Sequence, residues 1–159
     1  MDSDHYPKSV LEALRTGDIV TANALLGFDY FISGIVVRGQ MLGRTLGFPT
    51  ANLAVSCDTP LLIANGVYAV RVGYSGNSYL GMANIGKRPT LDGKILTVEV
   101  NLYDFDEEIY GESLTVYFFR RIRDEKKFAG IGELTREIGN DKQKVIELFS
   151  RINQPDSQP

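Results

Sequence analysis

The sequence predicts a mainly β domain, an antiparallel barrel or sandwich, with short helices ahead of it and a helical segment behind it. Three observations carry that expectation. Residues 30–123 break into short β-rich runs separated by turn residues, the pattern of antiparallel all-β folds. On both sides of that zone the apolar residues switch to helical spacing. The chain has 159 residues, 43% hydrophobic and 23% charged, which suits one domain with a real core.

The elements follow in order. Residues 9–14 and 19–26 read as two short helices. Asp18 is placed to cap the second and Gly27 to end it. Residues 31–37, Phe-Ile-Ser-Gly-Ile-Val-Val, open the β zone, and residues 66–73 form its next run. Tyr74-Ser-Gly-Asn77 is a turn leading into residues 78–85. Residues 94–103 alternate, with Leu96, Val98, Val100 and Leu102 on one face and Thr97, Glu99 and Asn101 on the other. Residues 113–119 form another strand. From Asp124 the pattern turns helical: Leu134, Ile138, Val145, Leu148 and Phe149 have helical spacing, and Asn140 or Asp141 can cap the last helix. The tail, residues 152–159, is expected to fray.

Bulk properties exclude several classes. A net charge of −3 argues against a general nucleic-acid or anionic-membrane binder. Cys57 is the one cysteine, so no internal disulfide forms. His5 is the one histidine, which excludes a His-rich zinc site and a His-centred triad deeper in the chain. Apolar runs such as residues 61–64 are far too short to span a bilayer. The start, MDSDHYPKS, lacks a signal-peptide pattern. A cytoplasmic protein is expected.

The most informative stretch is residues 34–53, GIVVRGQMLGRTLGFPTANL. It holds Gly34, Gly39, Gly43 and Gly47 with Arg38 and Arg44, and no acid. Glycines let backbone N–H groups approach phosphate oxygens, and the arginines add charge. A β-hairpin with a plain surface loop fits the same spacing. No Gly-Lys-Ser/Thr follows, so this is not a Walker loop. Thr50 and Asn52 follow Pro49. Two apart, they leave an extended backbone on the same face. As neutral oxygen ligands they hold Mg²⁺ poorly alone, but with nucleotide phosphates they can complete an octahedral shell. A turn in which Asn52 bonds its own backbone is the alternative. Glu99, mid-strand on the polar face, is either a solvated glutamate or a general base. Residues 120–127, Arg-Arg-Ile-Arg-Asp-Glu-Lys-Lys, carry five positive and two negative charges, as a solvated connection or as a flap. Tyr68, Tyr79, Tyr103 and Tyr117 read as packing residues, and Cys57 as a thiol without redox role.

Those residues also carry a resemblance. Arg44-Thr-Leu-Gly-Phe-Pro-Thr-Ala-Asn-Leu53 resembles the signature of riboflavin kinases, including the kinase half of bacterial bifunctional riboflavin kinase/FMN adenylyltransferases. Asn65-Gly-Val-Tyr-Ala-Val70, Gly81-Met-Ala-Asn-Ile-Gly-Lys-Arg-Pro-Thr90, Val98-Glu-Val-Asn-Leu-Tyr-Asp-Phe105 with Ile109-Tyr-Gly111, and Ile122-Arg-Asp-Glu-Lys-Lys-Phe128 are similar to the family's later blocks, in order. The resemblance covers residues 30–148. It implies a six-stranded antiparallel Greek-key barrel with a C-terminal helix, with residues 30–151 as kinase barrel and closing helices. It implies that Thr50 and Asn52 hold Mg²⁺ and the ATP phosphates, with Mn²⁺ or Zn²⁺ as alternative metals. Gly39 and Arg44 fall where the family's loop contacts ATP. Glu99 matches the catalytic carboxylate, facing the acceptor hydroxyl across the barrel mouth. Arg123 and Phe128 fall in the loop that closes on the flavin. Asn84, Pro89 and Thr90 fall in a block lying over the active site.

The implied reaction moves the γ-phosphate of ATP onto the ribityl 5′-hydroxyl of riboflavin, giving FMN and ADP. The implied partners are these small molecules alone, with no nucleic acid and no membrane, and a monomer is expected. The alternative is a non-catalytic flavin-binding module on the same barrel. Residues 1–29 resemble the end of an adenylyltransferase domain, yet Tyr6-Pro7-Lys8 stands where that family has Ser-Ser-Thr, and Leu11 where it has arginine. With one histidine there is no His-x-x-His or His-x-Gly-His motif. FAD synthesis is therefore expected to be absent.

Overall fold

In the computed structural model, which describes residues 5–38, 50–55, 62–91 and 93–152, six antiparallel strands close into a barrel. They are β1 (Phe31–Val37), β2 (Thr50–Ala54), β3 (Gly66–Tyr74), β4 (Asn77–Thr90), β5 (Gly93–Leu102) and β6 (Ser113–Arg123). Around the barrel their order is β1-β2-β5-β4-β3-β6, with β6 pairing back to β1. β3, β4 and β5 form a meander and β6 returns beside β3, which is the Greek-key order. Closure leaves no sheet edge. β4 and β6 run beyond residues 85 and 119, where periodicity ends, because β5 and β3 supply pairing partners there.

Strand alternation decides what lies inside. Val36, Leu53, Val70, Val72, Ala83, Ile85, Val98, Val100, Leu114, Val116 and Phe118 belong to one buried cluster. The interior is filled, as expected for so few strands. At β4 the wall is tight: a Cβ on Gly81 would collide with the Asn101 carbonyl of β5. Tyr74 pairs with Asn77 across Ser75 and Gly76, both at positive φ, so the expected turn forms.

Helices α1 (Lys8–Thr16) and α2 (Ile19–Leu26) are part of this core. Val10, Leu14, Ile19 and Ala22 join the same buried cluster as Tyr30, Tyr68 and Phe118. Asp18 caps α2 by accepting from the Thr21 amide at 3.2 Å, and Gly27 ends it in the left-handed region at φ 80°. Asn23 sews α2 to the strands: its Nδ2 donates to the Phe118 carbonyl at 2.9 Å, and its Oδ1 accepts from the Tyr30 amide at 2.8 Å.

The C-terminal segment corrects one expectation. It is a single helix among the described residues, α3 (Ile131–Ile152), and Asp141 lies inside it rather than capping a second helix. Asp141 is fully buried and ion-paired to Arg123. A carboxylate with a tertiary partner has no need to bond its own backbone, so the helix continues past it. Val145 and Phe149 share its buried stripe and pack on Val67, Ala69, Met82 and Tyr103 outside the barrel. Among the described residues no helix is long and apolar enough to cross a membrane.

Candidate active site

The strand register brings several of the candidate residues together on the outer wall of the barrel. β1 and β2 pair Val37 with Asn52, and β2 and β5 pair Asn52 with Glu99. β5 and β4 pair Glu99 with Asn84, β4 and β3 pair Asn84 with Val67, and β3 and β6 pair Val67 with Arg123. Cross-strand partners share a face, with Cβ atoms about 5 Å apart. Asn52, Glu99 and Asn84 therefore stand side by side, and the register continues through Val67 to Arg123, three strands from Glu99 around the ring. The neighbours of Glu99 along β5, Val98 and Val100, point inward. Glu99 is exposed on the outer wall, on the polar face that the alternation of β5 predicts, while apolar side chains fill the interior.

One step along β2, Thr50 pairs with Asn101 and its Oγ1 donates to Asn101 Oδ1 at 2.9 Å. The Pro-Thr-Ala-Asn segment thus enters a strand at Thr50, and both side chains take one face, as extended backbone requires. The partner Asn101 was legible as a residue on the face of Glu99, but its bond to Thr50 needs the β2–β5 register.

A cleft of ≈ 190 Å³ opens beside Thr50, lined by Val36, Ala51, Leu102 and the β5–β6 connection from Phe105 to Tyr110. Phe105 and Tyr110 are its aromatics; Asp106, Glu107 and Glu108 give it acid. The Arg38 guanidinium lies 4.9 Å from the Tyr110 ring centre. Phe105, Ile109 and Tyr110 stand in a block that the sequence offers as family-like, but that they line a cleft beside β2 comes only from packing.

Arg123 is the last residue of β6, not part of the following loop as expected. Its Nε donates to Asp141 Oδ1 at 2.9 Å, its Nη2 to Asp141 Oδ2 at 2.7 Å, and its Nη1 to the Asp124 carbonyl at 2.9 Å. Phe128, in the β6–α3 connection, has its ring centre 6.0 Å from that guanidinium. Lys126 bonds Glu137 at 3.1 Å and holds its carboxyl below the usual range. Glu125 from the same connection lies where a Cβ on Gly86 would go, beside Thr97.

Asn84 lies mid-strand in β4, and its Oδ1 is buried without a hydrogen-bond partner. Pro89 and Thr90 are strand residues at the tip of the β4–β5 hairpin, paired with Lys94 and Gly93. An active-site loop at Asn84, Pro89 and Thr90 is what the resemblance suggests; the three are strand residues instead, because β5 pairs with β4 to its end. Five residues separate that pairing from the Glu99 level, about 17 Å along the strand, so the backbone does not bring them to Glu99. Gly39 and Arg44 lie outside the described residues.

The family model Flavokinase, described as riboflavin kinase, matches residues 26–149. The bifunctional riboflavin kinase/FMN adenylyltransferase of Bacillus subtilis (strain 168) is 46% identical over 143 residues, covering 88% of this chain and 45% of that protein. Its Haemophilus influenzae counterpart is 41% identical, covering 89% and 46%. The chain spans about half the length of the curated relatives it matches. The crystal structure of a macrolide-efflux protein from Streptococcus pneumoniae superposes with TM-score 0.83 at 37% identity, covering 91% of this chain and 48% of that one. The crystal structure of riboflavin kinase from Trypanosoma brucei superposes with TM-score 0.54 at 26% identity, covering 80% and 91%. A family match over most of the barrel and α3, on a closed six-stranded Greek key with Thr50, Asn52 and Glu99 on one wall, means that this chain belongs to the riboflavin kinase family.

Proposed function

We propose that this chain phosphorylates riboflavin, moving the γ-phosphate of ATP to the ribityl 5′-hydroxyl to give FMN and ADP. The observation that carries the reading is the register Asn52–Glu99–Asn84. It puts the Glu99 carboxylate beside Asn52, whose oxygen would help anchor the triphosphate.

Phosphoryl transfer depends mainly on positioning and charge neutralisation. Thr50 Oγ1 and Asn52 are hard, neutral oxygen donors on one face, which fits Mg²⁺ shared with phosphates better than a metal held by protein alone. Among the described residues no group of three or more His, Cys, Asp or Glu could hold a metal, consistent with an ion shared with ATP. Bound there, Mg²⁺ would offset charge on the phosphate oxygens. Thr50 and Asn52 orient the triphosphate, and Gly39 and Arg44 are proposed to embrace it. The cleft beside Thr50 suits the nucleoside: its aromatics offer stacking surface, and its carboxylates accept from amino and hydroxyl groups while repelling phosphate.

Glu99 takes the proton of the 5′-hydroxyl as that oxygen bonds to the γ-phosphorus. The bond from the γ-phosphorus to the bridging oxygen breaks, and ADP leaves with that electron pair. The flavin ring would lie along the row beyond Asn84 toward Arg123 and Phe128. Residues 1–159 are proposed to stop at FMN, because they carry neither adenylyltransferase signature.

The test is to incubate the protein with riboflavin and Mg-ATP and separate the flavins. FMN with equimolar ADP is expected. Riboflavin bound without ATP consumption would replace the kinase reading with a flavin-binding module, and FAD would refute the single activity.

A further inference from the structure

Asp141 is the one buried polar or charged residue recorded among the described residues, at 0% exposure. Burying a carboxylate is costly, and a buried ion pair is often no more stabilising than an apolar pair of the same shape. Its presence on an otherwise apolar helix stripe therefore calls for another role. Both its oxygens grip Arg123, at 2.9 and 2.7 Å. The Asp124 carbonyl takes one Nη1 hydrogen at 2.9 Å, and Glu137 Oε1 stands 3.5 Å from Nε. These contacts fix the guanidinium plane. Arginine has five N–H donors. Three are used here, so one remains on each terminal nitrogen, on a group flanked by Phe128. Arg123 stands three strands from Glu99 by either route around the closed six-stranded ring. That is too far to act on the transferring phosphate.

We propose that Asp141 is a positioning residue for the flavin end of the substrate. From behind the wall it clamps Arg123 so that the guanidinium meets the planar, acceptor-bearing ring in one preset orientation. An unclamped arginine must lose its side-chain freedom on each binding event. The inference rests on the riboflavin kinase reading of the site.

The experiment is steady-state kinetics of Asp141→Asn, which keeps the size but loses the charge and one acceptor oxygen. Riboflavin KM is expected to rise roughly tenfold, while ATP KM and kcat stay near wild type. A purely structural role would lower the melting temperature and leave riboflavin KM unmoved in the folded protein, and that result overturns the proposal. Should Asp141→Asn fail to fold, Asp141→Glu keeps the charge but displaces the clamp by one methylene. A severalfold rise in riboflavin KM with ATP KM unchanged is expected, and an unmoved riboflavin KM overturns the proposal equally. Wild-type protein that forms no FMN would sink the kinase reading and this inference with it. Active wild type with unmoved Asp141 variants would sink this inference alone.

Discussion

At the scale of single residues, Glu99 is an ordinary exposed glutamate made notable by its neighbours. Asn52 flanks it on one strand and Asn84 on the other. Glu99→Gln keeps the shape and cannot take a proton. Turnover should fall about 100-fold or more, the usual scale for losing a general base, with ATP binding preserved. Steady-state kinetics beside a nucleotide-binding titration checks this, and near-normal kcat would remove Glu99 from the role. That Thr50 and Asn52 share one face, and that Glu99 lies on the polar face of β5, was legible in the sequence because side-chain type and spacing by two are local properties. Asp141 was misread as a helix cap because its partner, Arg123, lies 18 residues away. No local pattern announces that pairing.

At the scale of elements, the β4–β5 pair holds the middle of the site and has no slack. Gly81→Ala would drive a methyl into the Asn101 carbonyl, beside the residue that bonds Thr50. It should cost about 1–3 kcal/mol, the range for forced overpacking, with some loss of activity as Asn101 shifts. Urea unfolding measures the first and the FMN assay the second. A fully stable, fully active Gly81→Ala would show that the strands can part. The elements themselves were read well where periodicity is strong: α2 and β1 have the expected bounds. The ends of β4 and β6 were not, since residues 86–90 and 120–123 carry no alternation and are strands only because a neighbour supplies hydrogen bonds.

At the scale of the whole molecule, the N-terminal helices and the barrel share one core. Leu14 is fully buried in the same cluster as Tyr68 and Phe118. Leu14→Ala should destabilise the barrel by about 2–5 kcal/mol, as buried leucine truncations do. Unfolding followed by a barrel signal tests it, and an unchanged midpoint would make α1 an appendage. Buried tyrosines make a second global prediction. Burial, with smaller help from Tyr6, pushes the Tyr30 phenol from 10.0 up to about 12. Burial raises Tyr68 against the pull of Arg121, and raises Tyr103 with the Asp141 charge adding to it. A raised folded-state pKa adds stability that is complete below 10.0 and lost as pH climbs through the folded value. The fold should therefore weaken between pH 10 and 12, read as circular dichroism lost together with the appearance of tyrosinate absorbance. Stability that stays flat across that window would deny the burial. By itself the sequence determined the β-rich class, the helical flanks and the residue types of the site, because periodicity, turn chemistry and motifs are written in neighbouring residues. Only the tertiary structure decided that the strands close in the order β1-β2-β5-β4-β3-β6, that Asn52, Glu99 and Asn84 become neighbours, and that α3 reaches back to hold Arg123. Strand order, facing and buried ion pairs depend on contacts between residues far apart in the chain, which side-chain volume and charge burial select only once the whole core is packed.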